Sequence, residues 1–456
     1  MELLYHYLWK HKMMGRELRM SDGTLVNVLS VGRYNTDAGP DFSNARIMVG
    51  GREWIGNVEI HVKASDWYAH GHDRDKAYDS VVLHVVAVND AEVRRIDGSV
   101  IPQVEVLLPR NFYITYSRLT ADMKGTRCQN MLHSIPPLVC TDWLESLGME
   151  RMQAKASRLM NYYTQLNSDW EQAVFTLLAR GLGFGLNSLP FEMLAKNLPL
   201  KYLYHHADDL LQTEALLFGQ AGLLDPGIYP YEDYYQALCR EYMFLQRKYG
   251  LRPQRREVWK YARTRPQNFP HRRIALLAAA VHKREGFSSG LVEAGGDIDR
   301  LMELFDWRLD GYWGTHCGFG PEGGERVVPR TLSDASKELL IINVAAPFYY
   351  AYAAMSGDLE LGERGINMLT RLRPERNSII SSWQVGGLKV PDALSSQALL
   401  HLRSEYCDRN RCLECRFGHY LLRHRAGGHL FDYNRISDNV FVDAYTAERL
   451  DRITSK

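Results

Sequence analysis

The sequence predicts an α+β protein: an N-terminal α/β domain over residues 1–125, a large α-helical domain over residues 140–400, and a short Cys-rich tail over residues 401–430. Three observations predict it. Residues 24–108 carry short β-branched runs separated by turn residues, as strands do. From about residue 140, apolar residues recur at three- and four-residue spacings, as on one face of a helix. Three cysteines, Cys407, Cys412 and Cys415, then crowd into nine residues.

The elements follow in order. MELLYHYLWK reads as a helix in front of about five strands: TLVNVLSV, ARIMV, WIGNVEIHV, SVVLHVVAV and SVIPQVEVLL. Asp22-Gly23, Gly50-Gly51, Asn89-Asp90 and Asp97-Gly98 punctuate them with turn chemistry. The first long helix begins near Thr141 or Asp142, either of which can cap it. Further helical stretches are expected at 168–181, 207–218, 231–249, 271–285, 333–356, 359–371 and 392–404. Gly181-Leu182-Gly183-Phe184-Gly185 follows a helical run, not a strand, so it reads as a helix stop and not as a dinucleotide loop.

Composition narrows the class. Across 456 residues, 55 Lys and Arg face 54 Asp and Glu, so any nucleic-acid surface must come from local segregation of charge. With 45% hydrophobic and 24% charged residues, disordered and fibrous classes are excluded. No run of eighteen uninterrupted apolar residues occurs, so no membrane partner is expected. The N-terminus lacks the pattern of a signal peptide. Seven unevenly spaced cysteines suit a reducing compartment, and a cytoplasmic location is the expectation.

The richest stretch runs from Gly39 to Val88. Strand alternation puts Val58, Ile60 and Val62 on one face and Asn57, Glu59, His61 and Lys63 on the other. Pro40-Asp41 lies at the mouth of the preceding strand. This layout resembles the PD-(D/E)XK nuclease superfamily, and the resemblance covers roughly the first 108 residues. It implies a restriction-endonuclease-like N-terminal domain in which Asp41 and Glu59 bind Mg²⁺. His61 stands where that family has Lys, Lys63 follows on the same face, and Glu2 is the acid of the leading helix. A hard cation of this kind takes carboxylate oxygens and activates a bound water. The bland alternative makes Asp41 a turn residue and Glu59 a solvated strand residue.

A second polar cluster, His70-Gly71-His72-Asp73, invites a transition-metal reading because imidazole suits such ions. A polar connecting loop is the plainer reading. His84, inside an apolar run, reads as a hydrogen-bonded core histidine. The whole passage, GPDFSNARI followed by GNVEIHVKASDWYAHGHDRDKAYDSVVLHVV, resembles a bacterial family of uncharacterised proteins whose members also end in a Cys-rich tail.

Residues 246–284 hold the largest local excess of positive charge. Arg255, Arg256, Lys260, Arg263, Arg265, Arg272 and Arg273 are candidates for nucleic-acid contact, with Trp259, Tyr261 and Phe269 placed to stack on bases. Pairing of these cations with acids of the same chain is the alternative. Arg371-Leu372-Arg373-Pro374-Glu375-Arg376 adds a smaller basic site. In the tail, Cys407, Cys412 and Cys415 form C-x4-C-x2-C, a spacing suited to Zn or an Fe–S cluster, with His419 or the distant Cys317 as a fourth ligand. Such a centre is expected to staple the tail to the helical domain.

Together these readings lead to a nucleic-acid-binding protein and Mg-dependent phosphodiesterase. A non-catalytic nucleic-acid adaptor or scaffold and a His/Asp transition-metal hydrolase of a small molecule are the rivals.

Overall fold

The β-branched runs pair into one mixed sheet in a computed structural model that describes residues 1–14, 18–121, 128–320, 328–425 and 441–442. The strands are β1 (Leu18–Arg19), β2 (Leu25–Ser30), β3 (Arg33–Tyr34), β4 (Phe42–Val49), β5 (Arg52–Lys63), β6 (Val81–Val88) and β7 (Gln103–Glu105). They lie in the order β1-β2-β4-β5-β6-β7, with β3 paired to β4. The pairs from β1 to β5 are antiparallel, whereas β5, β6 and β7 run parallel. Helix α1 (Glu2–Lys10) buries Leu4, Leu8 and Trp9, and the Trp9 indole donates to the Val31 carbonyl at 3.0 Å. β1 and β3 have two residues each, too short for a periodic signal, so the sequence suggested only five strands.

The parallel step from β5 to β6 needs a crossover. It consists of α2 (Asp66–Ala69) and two 3-10 turns, His72–Arg74 and Lys76–Tyr78. Trp67 anchors it: the side chain is fully buried with Ala64, Tyr78, Val81, Val86, Val93 and Ile101. Its indole N–H, costly to bury unpaired, donates to the Arg94 carbonyl at 3.1 Å. Gly56 allows a close approach, since a Cβ there would lie 2.6 Å from the Ser80 carbonyl oxygen.

The chain divides into two compact units. The first holds Met1–Trp143, Val385–Leu388 and the described residues from Arg403 on, and the second holds Leu144–Gln384 and Lys389–Leu402. The Cys-rich segment therefore groups with the sheet, not with the helical unit it was expected to staple.

The second unit is helical around one large apolar cluster. Helix α3 (Arg110–Thr120) still belongs to the first unit, and α4 (Pro137–Gln165) begins in the first unit and continues into the second. α4 starts a turn earlier than the Thr141 or Asp142 cap predicts, because proline suits a first helical turn whose N–H groups lack partners. Helix α5 (Trp170–Leu182) is capped by Asp169, whose side chain accepts from the Gln172 N–H at 3.1 Å. The stretch expected at 333–356 is helical with a π turn at Ile341–Ala345. It is the one described helix long and apolar enough to cross a membrane, and 61% of that apolar window is buried, as in a core helix.

Candidate metal centre

Asp41 immediately precedes β4 and Glu59 lies on the adjacent antiparallel β5, where Phe42 faces Val58. The Asp41 N–H donates to Glu59 Oε2 at 3.1 Å, and the Ile60 N–H donates to Asp41 Oδ2 at 2.9 Å. Each carboxylate is thus fixed by the other strand's backbone. His6 of α1 closes this end: its Nε2 is 3.4 Å from Asp41 Oδ2 and 3.7 Å from Glu2 Oε1, one helical turn away. Glu2, His6, Asp41 and Glu59 therefore form one contiguous group.

The other oxygen of Glu59 faces imidazoles. Oε1 lies 3.5 Å from His61 Nε2 and 3.4 Å from His72 Nε2. His70 Nδ1 is 3.2 Å from His61 Nε2. His61, His70 and His72 each bring one ring nitrogen within 4.8 Å of the others. Gly71 makes this possible: its φ of 76° bends the chain so that both flanking histidines return to the same point. The rings also support one another, with His72 stacked on Tyr78 at 3.7 Å between centroids.

Burial decides the electrostatics. Glu59 is 5% exposed and His61 1%, so the polar face of β5 is covered rather than solvated. Desolvation, joined by the Asp41 charge, pushes Glu59 up to about 9, and desolvation pushes Asp41 up to about 6. His61 is pushed down to about 2 by burial and by His84, His70 and His72 beside it. His6 and His72 are also lowered, chiefly by burial. Burial therefore favours the neutral form of His61, His72 and Glu59, and a bound cation would offset the desolvation of the Glu59 carboxylate.

His84 of β6 contacts the other nitrogen of the His61 ring. Its Nε2 is 2.9 Å from His61 Nδ1, while His84 Nδ1 is buried without a hydrogen-bond partner. Assigning the proton to His61 Nδ1 makes that nitrogen the donor and leaves the Nε2 lone pair facing His70, His72 and Glu59. His84 is hydrogen-bonded in the core as expected, but its partner is a residue of the centre.

The donor set fits a borderline transition ion better than Mg²⁺, since three imidazole nitrogens and one carboxylate oxygen suit Zn and its neighbours. The orphaned Nε2 of His6, also buried, leaves one more nitrogen at the Asp41 end. Lys63 has a different setting: its N–H donates to Asp66 Oδ2 at 3.0 Å, and its charge bears on Asp90. The backbone of Lys63 thus supports the start of α2. Sequence reasoning passed over His6. The Glu2–His6 spacing of four on a helix was the signal that could have found it.

The basic segment disperses. Arg272 is 2% exposed and donates to the carbonyls of Trp313 at 2.7 Å and His316 at 2.9 Å. Arg273 is buried against Asn268 and lies 4.5 Å over the Phe184 ring. Trp259 is buried, its indole donating to the Ala221 carbonyl at 2.8 Å. These three are removed from any nucleic-acid surface, because a helix that buries its whole first turn takes its arginines inward. Arg255, Arg256, Lys260, Arg263 and Arg265 remain exposed. In the tail, His419 Nδ1 is 2.6 Å from the Tyr7 hydroxyl, while Cys317 belongs to the other unit.

The chain belongs to the family described as Protein of unknown function (DUF2851), which matches residues 2–378. No curated protein and no solved structure matches it.

Proposed function

For this DUF2851 member we propose a metal-dependent hydrolase of phosphodiesters, its ion held by His61, His70 and His72 together with Glu59. The observation that carries the reading is the convergence of three imidazole nitrogens within 4.8 Å, with Glu59 Oε1 3.4–3.5 Å from two of them. Such an ion would acidify a bound water and polarise a phosphoryl oxygen. The chain supplies the rest. His84 holds the ligand tautomer of His61, and the Asp41 N–H orients Glu59. Asp41, raised to about 6 by burial, is suited to exchange a proton near neutral pH beside Glu2 and His6.

Several features support the phosphodiester class. An Asp entering one strand, a Glu on the next and a following parallel strand are the arrangement that the PD-(D/E)XK resemblance implies. The departure at His61 becomes intelligible, since imidazole in place of Lys changes the ion from Mg²⁺ to a nitrogen-preferring metal. The five exposed cations between Arg255 and Arg265 suit a nucleic-acid strand as substrate. A second reading, hydrolysis of a small ester, is favoured by one observation: of the three histidines only His70 is exposed.

The test uses the full chain with Zn²⁺, Mn²⁺ or Mg²⁺ against bis(p-nitrophenyl) phosphate and a single-stranded oligonucleotide. Turnover with Zn²⁺ or Mn²⁺ is expected, lost in His72→Ala and Glu59→Gln. Activity with Mg²⁺ that survives His70→Ala/His72→Ala would return the site to the carboxylate pair alone. Bound metal with no turnover of either substrate would leave the scaffold reading.

A further inference from the structure

We propose that Cys128 is the missing fourth ligand of the tail cysteines, and that Cys128, Cys407, Cys412 and Cys415 together hold one thiolate-bound metal centre in the first unit. Cys128 is 279 positions upstream of Cys407 in the sequence, so no spacing motif connects it to the tail. The fold does. Cys128 immediately precedes the 3-10 helix Gln129–Ser134, and the helix Arg416–Arg425, which follows directly on Cys415, packs against that 3-10 helix and against α3. Cys412 Sγ lies 3.5 Å from the Leu119 carbonyl of α3. Gly418 lets the Cys412–Cys415 loop fold back onto the helix, since a Cβ there would lie 2.0 Å from the Cys412 carbonyl oxygen.

The thiols share one corner. Cys128 and Cys415 are each 8% exposed, and the charged neighbours that bear on the Cys128 thiol are Cys415, Cys407 and Cys412. Cys407 in turn senses Cys415 and Cys412. All four are free thiols. Two buried and two half-buried thiols, near which Arg403 is already paired with Asp408, are poorly suited to stand as separate thiolates. Exchange of their protons for a soft or borderline metal neutralises the group, and a closed Cys₄ set is a structural rather than a catalytic arrangement. His419 Nδ1 is instead engaged with the Tyr7 hydroxyl, its ring 4.6 Å from that of His11. Cys140, raised by burial alone, provides an internal control.

The experiment is metal and acid-labile sulfide analysis of full-length protein purified without oxygen, in the His70→Ala/His72→Ala background so that the other centre does not contribute. Either zinc without a visible chromophore or iron with sulfide and a brown colour is expected, and the two outcomes select the ion. Cys128→Ser and Cys412→Ser should each lose it, while Cys140→Ser and His419→Ala should retain it. If Cys128→Ser does not fold, thiol titration of the parent decides. Four thiols becoming reactive on chelation supports the assignment. Three or none overturns it, as does full metal content in Cys128→Ser.

A separate observation carries a second site. Within the helical unit a cavity of about 700 Å³ is lined by Arg151, Lys155, Arg158, Arg180, Arg373 and Arg376, against the acids Glu338 and Glu375. Arg180 is paired with Glu192, and Lys155 Nζ is held by Asn343 Oδ1 at 2.7 Å and by the Ile342 carbonyl of the π turn at 3.4 Å. π turns often mark functional sites. Arg158, Arg373 and Arg376 are exposed on its wall. We infer that this cavity binds a small molecule carrying two or more phosphate groups, which guanidinium forks accept bidentately. Inorganic tripolyphosphate should raise the melting temperature of the full chain, and Arg158→Glu/Arg376→Glu should remove the shift. An equal shift from sodium chloride at matched ionic strength, or binding of an oligonucleotide but not of tripolyphosphate, would overturn it.

Discussion

The β5 histidine-carboxylate cluster and the 246–284 segment both concentrate ionisable residues, yet they fold to opposite ends. The first converges: Glu59 and His61 on one strand meet Asp41 on the next, His84 on the third, and His70 and His72 from the crossover. The second scatters, with Arg272 and Arg273 turned into the core and Arg255, Arg256 and Arg263 left outside. Strand alternation fixes the side on which every second residue lies, so a row of polar residues stays a row. A segment of turns and one helix imposes no common face. Local charge density alone is therefore weak evidence for a surface, whereas a polar face on an interior strand requires an explanation.

The largest expected effect tests the convergent half. Glu59→Gln mimics the protonated carboxyl that burial already favours, so it should leave the fold intact while abolishing metal-dependent turnover. Metal content and the unfolding midpoint, measured together, check this; unfolding without a change in metal affinity would make Glu59 structural. His84→Phe should act more mildly, weakening metal affinity by roughly 10–100-fold through loss of the tautomer-setting bond, as read by competition with a chelating dye.

On the scattered half, Arg272→Ala should cost roughly 3 kcal/mol, because the lost charged donor leaves buried carbonyls unsatisfied. Arg255→Ala should stay within about 0.5 kcal/mol. Urea unfolding of the two variants compares them, and equal midpoints would contradict the inward placement of Arg272. Should the protein bind nucleic acid, reversing Arg255, Arg256 and Arg263 to Glu should flatten the salt dependence by roughly 0.7–0.9 in log–log slope per lost phosphate contact. Unchanged slopes would assign these cations no role.

How much was legible follows from the same contrast. Alternation along β5 identified Glu59 and His61, and Pro40-Asp41 placed a second acid near them. The role of His70 and His72 was only half legible, because it depends on the left-handed Gly71 and on Trp67 anchoring the crossover. His6 came from a helix at the chain start, and Cys128 from a loop remote in sequence. Only tertiary packing brings these to their sites. The two readings of the ion part for a related reason: the carboxylate pair suggests Mg²⁺, whereas two of the three imidazoles, His70 and His72, come from the crossover.

A buried carboxyl in the helical unit sharpens the comparison at the smallest scale. Glu214 is raised to about 7 by burial, and Tyr234 donates to its Oε2 at 2.5 Å. Because its folded value lies above the ordinary 4.5, the neutral form's contribution is complete below pH 4.5 and is lost as pH rises through about 7. Glu214→Gln should remove that decline, so the gap between variant and parent widens in thermal melts from pH 5 to pH 8. A constant gap would mean that Glu214 is ionised in the folded state throughout.

The central claim is that the histidines, not the carboxylate pair alone, hold the metal. Anomalous diffraction at the zinc edge from crystals soaked in Zn²⁺ tests it most directly. The account predicts a peak about 2.0–2.2 Å from ring nitrogens of His61, His70 and His72 and from a Glu59 oxygen. A peak between Asp41 and Glu59 that touches none of the three imidazoles, or no peak near these five residues, would contradict it.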